Sequence, residues 1–309
     1  MRIPTILRSG VLAESYETLI QLLALPQFLI GVASGVVGLL FLFVLPRDQS
    51  GTAPGFGIVL SLVAAVGVNI AIESNLDLIV SMLLLGAGGL MVERSLTSSA
   101  EWLTWMGWLA IGIGLVIIAS RAEIVDVGWI WFGAPLLGLV GGWSMLKSPE
   151  ALPHPTVGPM VAITAFAMWT TVPDTEVAMV LLGVSLAMAV ATLPGINSRL
   201  TGGGAFPLMT LLAWAAAVGG AARPASVVGA WACIGMLILG PLAVRLRPGL
   251  KIGTWTTLGI HAVIALVAAR VIGLWEAALP ALIAVCGLGA LAFLGLVLVT
   301  QKEPSSERI

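Results

Sequence analysis

VGPMVAITAFAMWTTVPDTEVAMVLLGVSLAMAVATL, residues 157–193, decides the fold. Two apolar runs, 157–172 and 176–194, lie on either side of the acidic turn TVPDTE (171–176). Strands of a membrane barrel would be about 10 residues long and strictly alternating. These runs are longer and do not alternate, so they read as two helices. Pro173 ends the first helix, because the residue before a proline avoids the helical region. Asp174 or Thr175 can cap the second, and Glu176 in its first turn suits the positive end of the helix dipole. Lys147 precedes the hairpin and Arg199 follows it. The unit is acidic at its closed end and basic at its open end.

The same unit extends in both directions. A span needs roughly 20 apolar residues, and eleven runs approach or meet this: 27–46, 55–72, 78–92, 103–120, 127–146, 157–172, 176–194, 205–222, 225–244, 254–272 and 277–299. The runs at 78–92 and 157–172 are the shortest. The expected fold is therefore an all-α polytopic transmembrane bundle of ten to eleven spans. From residue 55 onward it consists of five consecutive hairpins. Their turns recur at about 50 residues, the spacing that two passes of about 20 residues plus short loops produce without any duplication. One series of loop charges is basic: Arg47, Arg94, Lys147, Arg199, Arg245 with Arg247 and Lys251, and Lys302 with Arg308. The other is acidic apart from Arg223: Glu73 with Asp77, Glu123 with Asp126, Asp174 with Glu176, and Glu276. Lys and Arg mark the cytoplasmic side. Eleven spans then place the N-terminus outside and the tail 301–309 inside, as in a bacterial cytoplasmic membrane.

Composition agrees. The 309 residues are 59% hydrophobic and 9% charged, with a mean hydropathy of +1.09. Soluble domains carry about 25% charged residues. A net charge of −1 and singly scattered arginines leave no patch for nucleic acid. Cys233 and Cys286 lie within apolar runs, which argues against a disulfide framework or a thiolate metal site.

Residues 1–26 form a separate N-terminal segment ahead of the transmembrane domain at 27–300. Within it Leu12, Tyr16, Leu19, Ile20 and Leu23 share one helical face, and Glu14, Glu17 and Gln21 lie off it. This suits a helix lying in the interface or against a partner subunit. Trp102, Trp105, Trp129, Trp131, Trp169, Trp255 and Trp275 fall near span ends, as membrane-anchoring indoles do. Gly31 with Gly35, and Gly138 with Gly142, are small-residue pairs that let helices approach closely. They read as bundle packing or as a seam for a second copy or a partner membrane subunit. Pro135 and Pro280 lie inside spans. With Gly138 and Gly142 following it, Pro135 marks 127–146 as the span expected to break or flex.

Few residues offer chemistry. His261 is the imidazole expected inside a span, which makes it a functional candidate by default. Haem ligation between helices would need a second one. The turn acids Asp174, Glu176, Glu73, Asp77, Glu123 and Asp126 form a candidate outer-face acidic site, provided the turns converge. Arg245, Arg247 and Lys251 are placed to touch anionic lipid headgroups. RLTGGGAFP (199–207) is a glycine run before a helix, but it lacks the Walker pattern and is expected to be a flexible loop. No metal or cofactor is expected, and no catalytic residue. An enzyme acting on lipid-linked substrate through Asp174 and Glu176 would lack a matching constellation of His, Lys and Arg on the same face. Ion-coupled transport generally uses an intramembrane acid or base. The expected function is a non-ion-coupled permease or channel-like protein for a small or lipidic solute. The alternative is a non-catalytic subunit or scaffold of a larger membrane complex.

Overall fold

A computed structural model describes residues 25–44, 56–72, 76–96, 98, 100–121, 128–147, 157–170, 176–190, 202–220 and 223–246, together with isolated positions between 259 and 291. The described residues fold into helices, without a strand among them. In chain order these are α1 (Pro26–Val44), α2 (Phe56–Ile72), α3 (Asp77–Ser95), α4 (Glu101–Arg121), α5 (Gly128–Lys147), α6 (Val157–Trp169), α7 (Glu176–Ala189), α8 (Gly202–Gly219) and α9 (Pro224–Leu246). They coincide with the first nine expected runs. The expected interfacial helix and the C-terminal tail lie outside the described residues, as does most of the last two expected spans. By length and composition α3 and α4 can cross a membrane, and the other described helices are apolar over shorter stretches. The 13 residues of α6 rise about 20 Å, well short of a hydrocarbon core of about 30 Å.

Local rules account for the helix ends. Pro26 and Pro224 open α1 and α9, where the missing N–H costs no helical bond. Asp77, Glu101 and Glu176 lie in first turns and Arg94 in a last turn, each matching the sign of the helix dipole. Between the ends the helices are apolar all round, the pattern of an element with no water-facing side.

The bundle is built around α8. Every residue from Gly203 to Ala217 is buried, and α8 packs on α5, α3, α2 and α9 and more lightly on α7 and α4. By contrast α4 rests mainly on α3 and turns Trp105 (77% exposed), Val116 (67%) and Leu109 (57%) outward.

Backbone contacts set the helix directions. α3 and α4 run antiparallel. A side-chain carbon on Gly88 would lie 2.6 Å from the Gly107 carbonyl oxygen, and one on Gly107 would lie 2.7 Å from that of Gly88. Cα–H groups facing carbonyls in this way recur where helices touch. Further along the same pair, the Ser81 hydroxyl donates to the Gly114 carbonyl at 2.7 Å. α1 and α7 run parallel, with Gly31 on the Val180 carbonyl and Gly35 on Val184 and Ala187. α5 and α8 run antiparallel, with Gly138 on Thr210 and Gly142 on the Phe206 ring. α5 and α9 run parallel, with Gly133 on Trp231 and Gly141 on Ile238. These are the directions of a chain that passes back and forth between two faces. The first face holds the starts of α1, α3, α5, α7 and α9. The second holds the starts of α2, α4 and α8.

Gly31 with Gly35 and Gly138 with Gly142 meet neighbouring helices of the same chain, the bundle-packing reading. Two expectations change here. The expected break at Pro135 is absent, because α5 runs continuously from Gly128 to Lys147. Its packing on α8 through Gly138, Gly141 and Gly142 holds the helix across the one backbone bond that proline removes. The glycine run at 202–204 is the first turn of α8 rather than a loop, since only residues without side chains fit against α2 and α3 at that point.

Gly31→Val would push methyl groups into the Val180 carbonyl, and a loss of about 3 kcal/mol is expected. It would be read as a lower unfolding midpoint in detergent. A carbon added at Gly112 meets nothing within 4 Å. Gly112→Ala should therefore leave the midpoint unchanged or raise stability by up to about 1 kcal/mol.

Candidate functional site

The acidic turns expected to form an outer site are only partly described. Glu176 begins α7 on the first face, and its Oε1 accepts a hydrogen bond from Gln27 Nε2 of α1 at 3.3 Å in an exposed setting. Asp77 begins α3 on the same face and is half-buried. α3 and α7 share no extensive packing, and the two carboxylates begin separate helices. Glu73, Glu123, Asp126 and Asp174 lie outside the described residues, as does His261. Arg245 falls in the last turn of α9, but its side chain is outside the described set, and so are Arg247 and Lys251. Pro135 lies on the α5 face that meets the rest of the bundle near Ala134, which is 3% exposed. Among the described residues no group of three or more His, Cys, Asp or Glu could hold a metal ion.

The second face carries a site that the sequence did not announce. Glu93, in the last turn of α3, accepts through Oε2 a 3.1 Å hydrogen bond from the backbone N–H of Gly203 in the first turn of α8. A free helix N–H and the positive end of the dipole both favour a carboxylate there. The place a phosphate might have taken is thus filled by the protein's own carboxylate. The contact depends on glycine. A side-chain carbon on Gly89 would lie 2.7 Å from Gly203 Cα and 2.8 Å from the Gly203 oxygen, and one on Gly204 would lie 2.6 Å from Gly57 Cα. Pro207 lies inside α8 and cannot return a hydrogen bond to the Gly203 carbonyl four residues earlier. The Cα hydrogens of Gly89 face that freed oxygen.

One turn further in, Phe206 is fully buried. Its ring lies on Gly142 of α5 and meets Trp108 of α4 edge-on at 6.0 Å. Trp108 in turn tilts against Trp143 of α5 at 5.5 Å. Four helices, α3, α4, α5 and α8, therefore converge behind the Glu93 contact. Single residues carry no signal for this. Glu93 beside Arg94 reads as an ordinary loop charge, and Phe206 as an ordinary core residue.

Among the described residues the buried polar side chains are neutral. Buried hydroxyls belong to Ser61, Ser81, Ser144, Thr164, Ser185, Thr210 and Ser226. Four donate to a carbonyl of their own helix: Ser61 to Gly57, Thr164 to Met160, Ser185 to Leu182 and Thr210 to Phe206. Such bonds satisfy a hydroxyl in an apolar setting. Trp231 Nε1 crosses from α9 to the Ala213 carbonyl of α8 at 2.9 Å. Trp214 Nε1 and Ser226 Oγ are buried with no partner among the described residues. The set can orient helices and offer hydrogen bonds, but as described it contains no nucleophile paired with a base. No protein-family model matches the chain, and no curated protein matches it.

Phe206→Ala should remove about 3–5 kcal/mol by opening a cavity at the four-helix junction, whereas Ser81→Ala should cost about 0.6–1 kcal/mol as a single interhelical hydrogen bond. Equilibrium unfolding of the detergent-solubilised protein checks both the size and the order.

Proposed function

We propose that the chain is a polytopic membrane protein of about eleven spans that works as a non-ion-coupled permease or channel-like protein for a small, neutral or lipidic solute. The observation that carries this reading is the neutral interior. The described core is lined by hydroxyls, indoles and aliphatic side chains, with no buried ionisable acid or base except the thiol of Cys233. A carrier driven by protons or sodium needs a group inside the bundle whose charge the ion compensates. A path for a neutral solute needs only hydrogen-bonding groups. Membrane placement is supported by the outward apolar side chains of α1 and α4, including Val44 (80% exposed) and Trp105 (77%), because contiguous apolar surface of this kind is unfavourable against water. On this reading Lys147 and Arg94 mark the cytoplasmic face, the N-terminus lies outside, and membrane lipids surround the bundle.

The second reading is a non-catalytic subunit or scaffold. One observation favours it: α4 is held chiefly by α3 and presents Trp102, Trp105, Leu109 and Val116 as a continuous apolar face.

Reconstituted liposomes separate the two. The permease reading expects faster osmotic equilibration of at least one neutral solute, such as urea, glycerol or an amino acid, than in protein-free vesicles, and no response to an imposed pH gradient. Unchanged permeability to every solute, together with a partner that co-purifies stoichiometrically in mild detergent, overturns the permease in favour of the subunit. A C-terminal reporter fusion should be cytoplasmic; a periplasmic one would overturn the orientation.

A further inference from the structure

We draw no further inference here: the strongest candidate, the outward apolar face of α4 carrying Trp102, Trp105, Leu109 and Val116, is an unpartnered helix surface, and nothing in the structure shows what covers it.

Discussion

Where Gly203 meets Gly89, and Gly88 meets Gly107, two helices touch through their backbones with no side chain between them. The rest of the bundle depends on this kind of contact. In an apolar surrounding there is no water to expel when two helices associate, so stability must come from dispersion and from weak carbonyl contacts at close range. Each glycine at a crossing removes the one atom that would hold the helices apart. α8 is the clearest case. Gly203 and Gly204 bring its start against α3 and α2, while glycines of α5 accept its Phe206 and Thr210. A helix so enclosed has no face left for solvent or lipid, and it becomes the fixed element against which the others are arranged.

A bundle held this way has little need of polar interactions inside it. Its described buried hydroxyls mostly return their protons to their own helix, while the Ser81 hydroxyl and the Trp231 indole reach across to a neighbour. Carboxylates appear at the ends, where helix dipoles and free N–H groups accommodate them. Glu93 is the instructive member, because it closes a junction of four helices with one hydrogen bond.

Much of the architecture was legible in the sequence. The acidic turn TVPDTE separates α6 from α7 as its proline and carboxylates require, and the boundaries of α2, α3, α5 and α9 fall within a few residues of the apolar runs. These features are local. Apolar length, a proline, and an acid in the first turn act on their own segment whatever its neighbours do. Expectations that needed a neighbour fared differently. Pro135 was expected to break or flex α5, and α5 is one unbroken helix that packs on α8. The run GGG at 202–204 was expected to be loose, but it is the first turn of α8, with Gly203 against α3 and Gly204 against α2. Asp77 and Glu176 were a candidate pair provided the turns converged, and they begin two helices that share no extensive packing.

The sequence by itself determined that this chain is helical and apolar, where its helices begin and end, and which loops carry each charge. The physical reason is that helix formation and charge placement are set by residues within a few positions of one another. Only the tertiary structure decided that α8 is the centre, that α1 runs parallel to α7, and that Glu93 caps a helix beginning 110 residues later in the chain. Those facts follow from which backbones approach closely enough to touch. Glycine permits that approach at many positions in this chain, and only the packing of the whole bundle selects the places where it occurs.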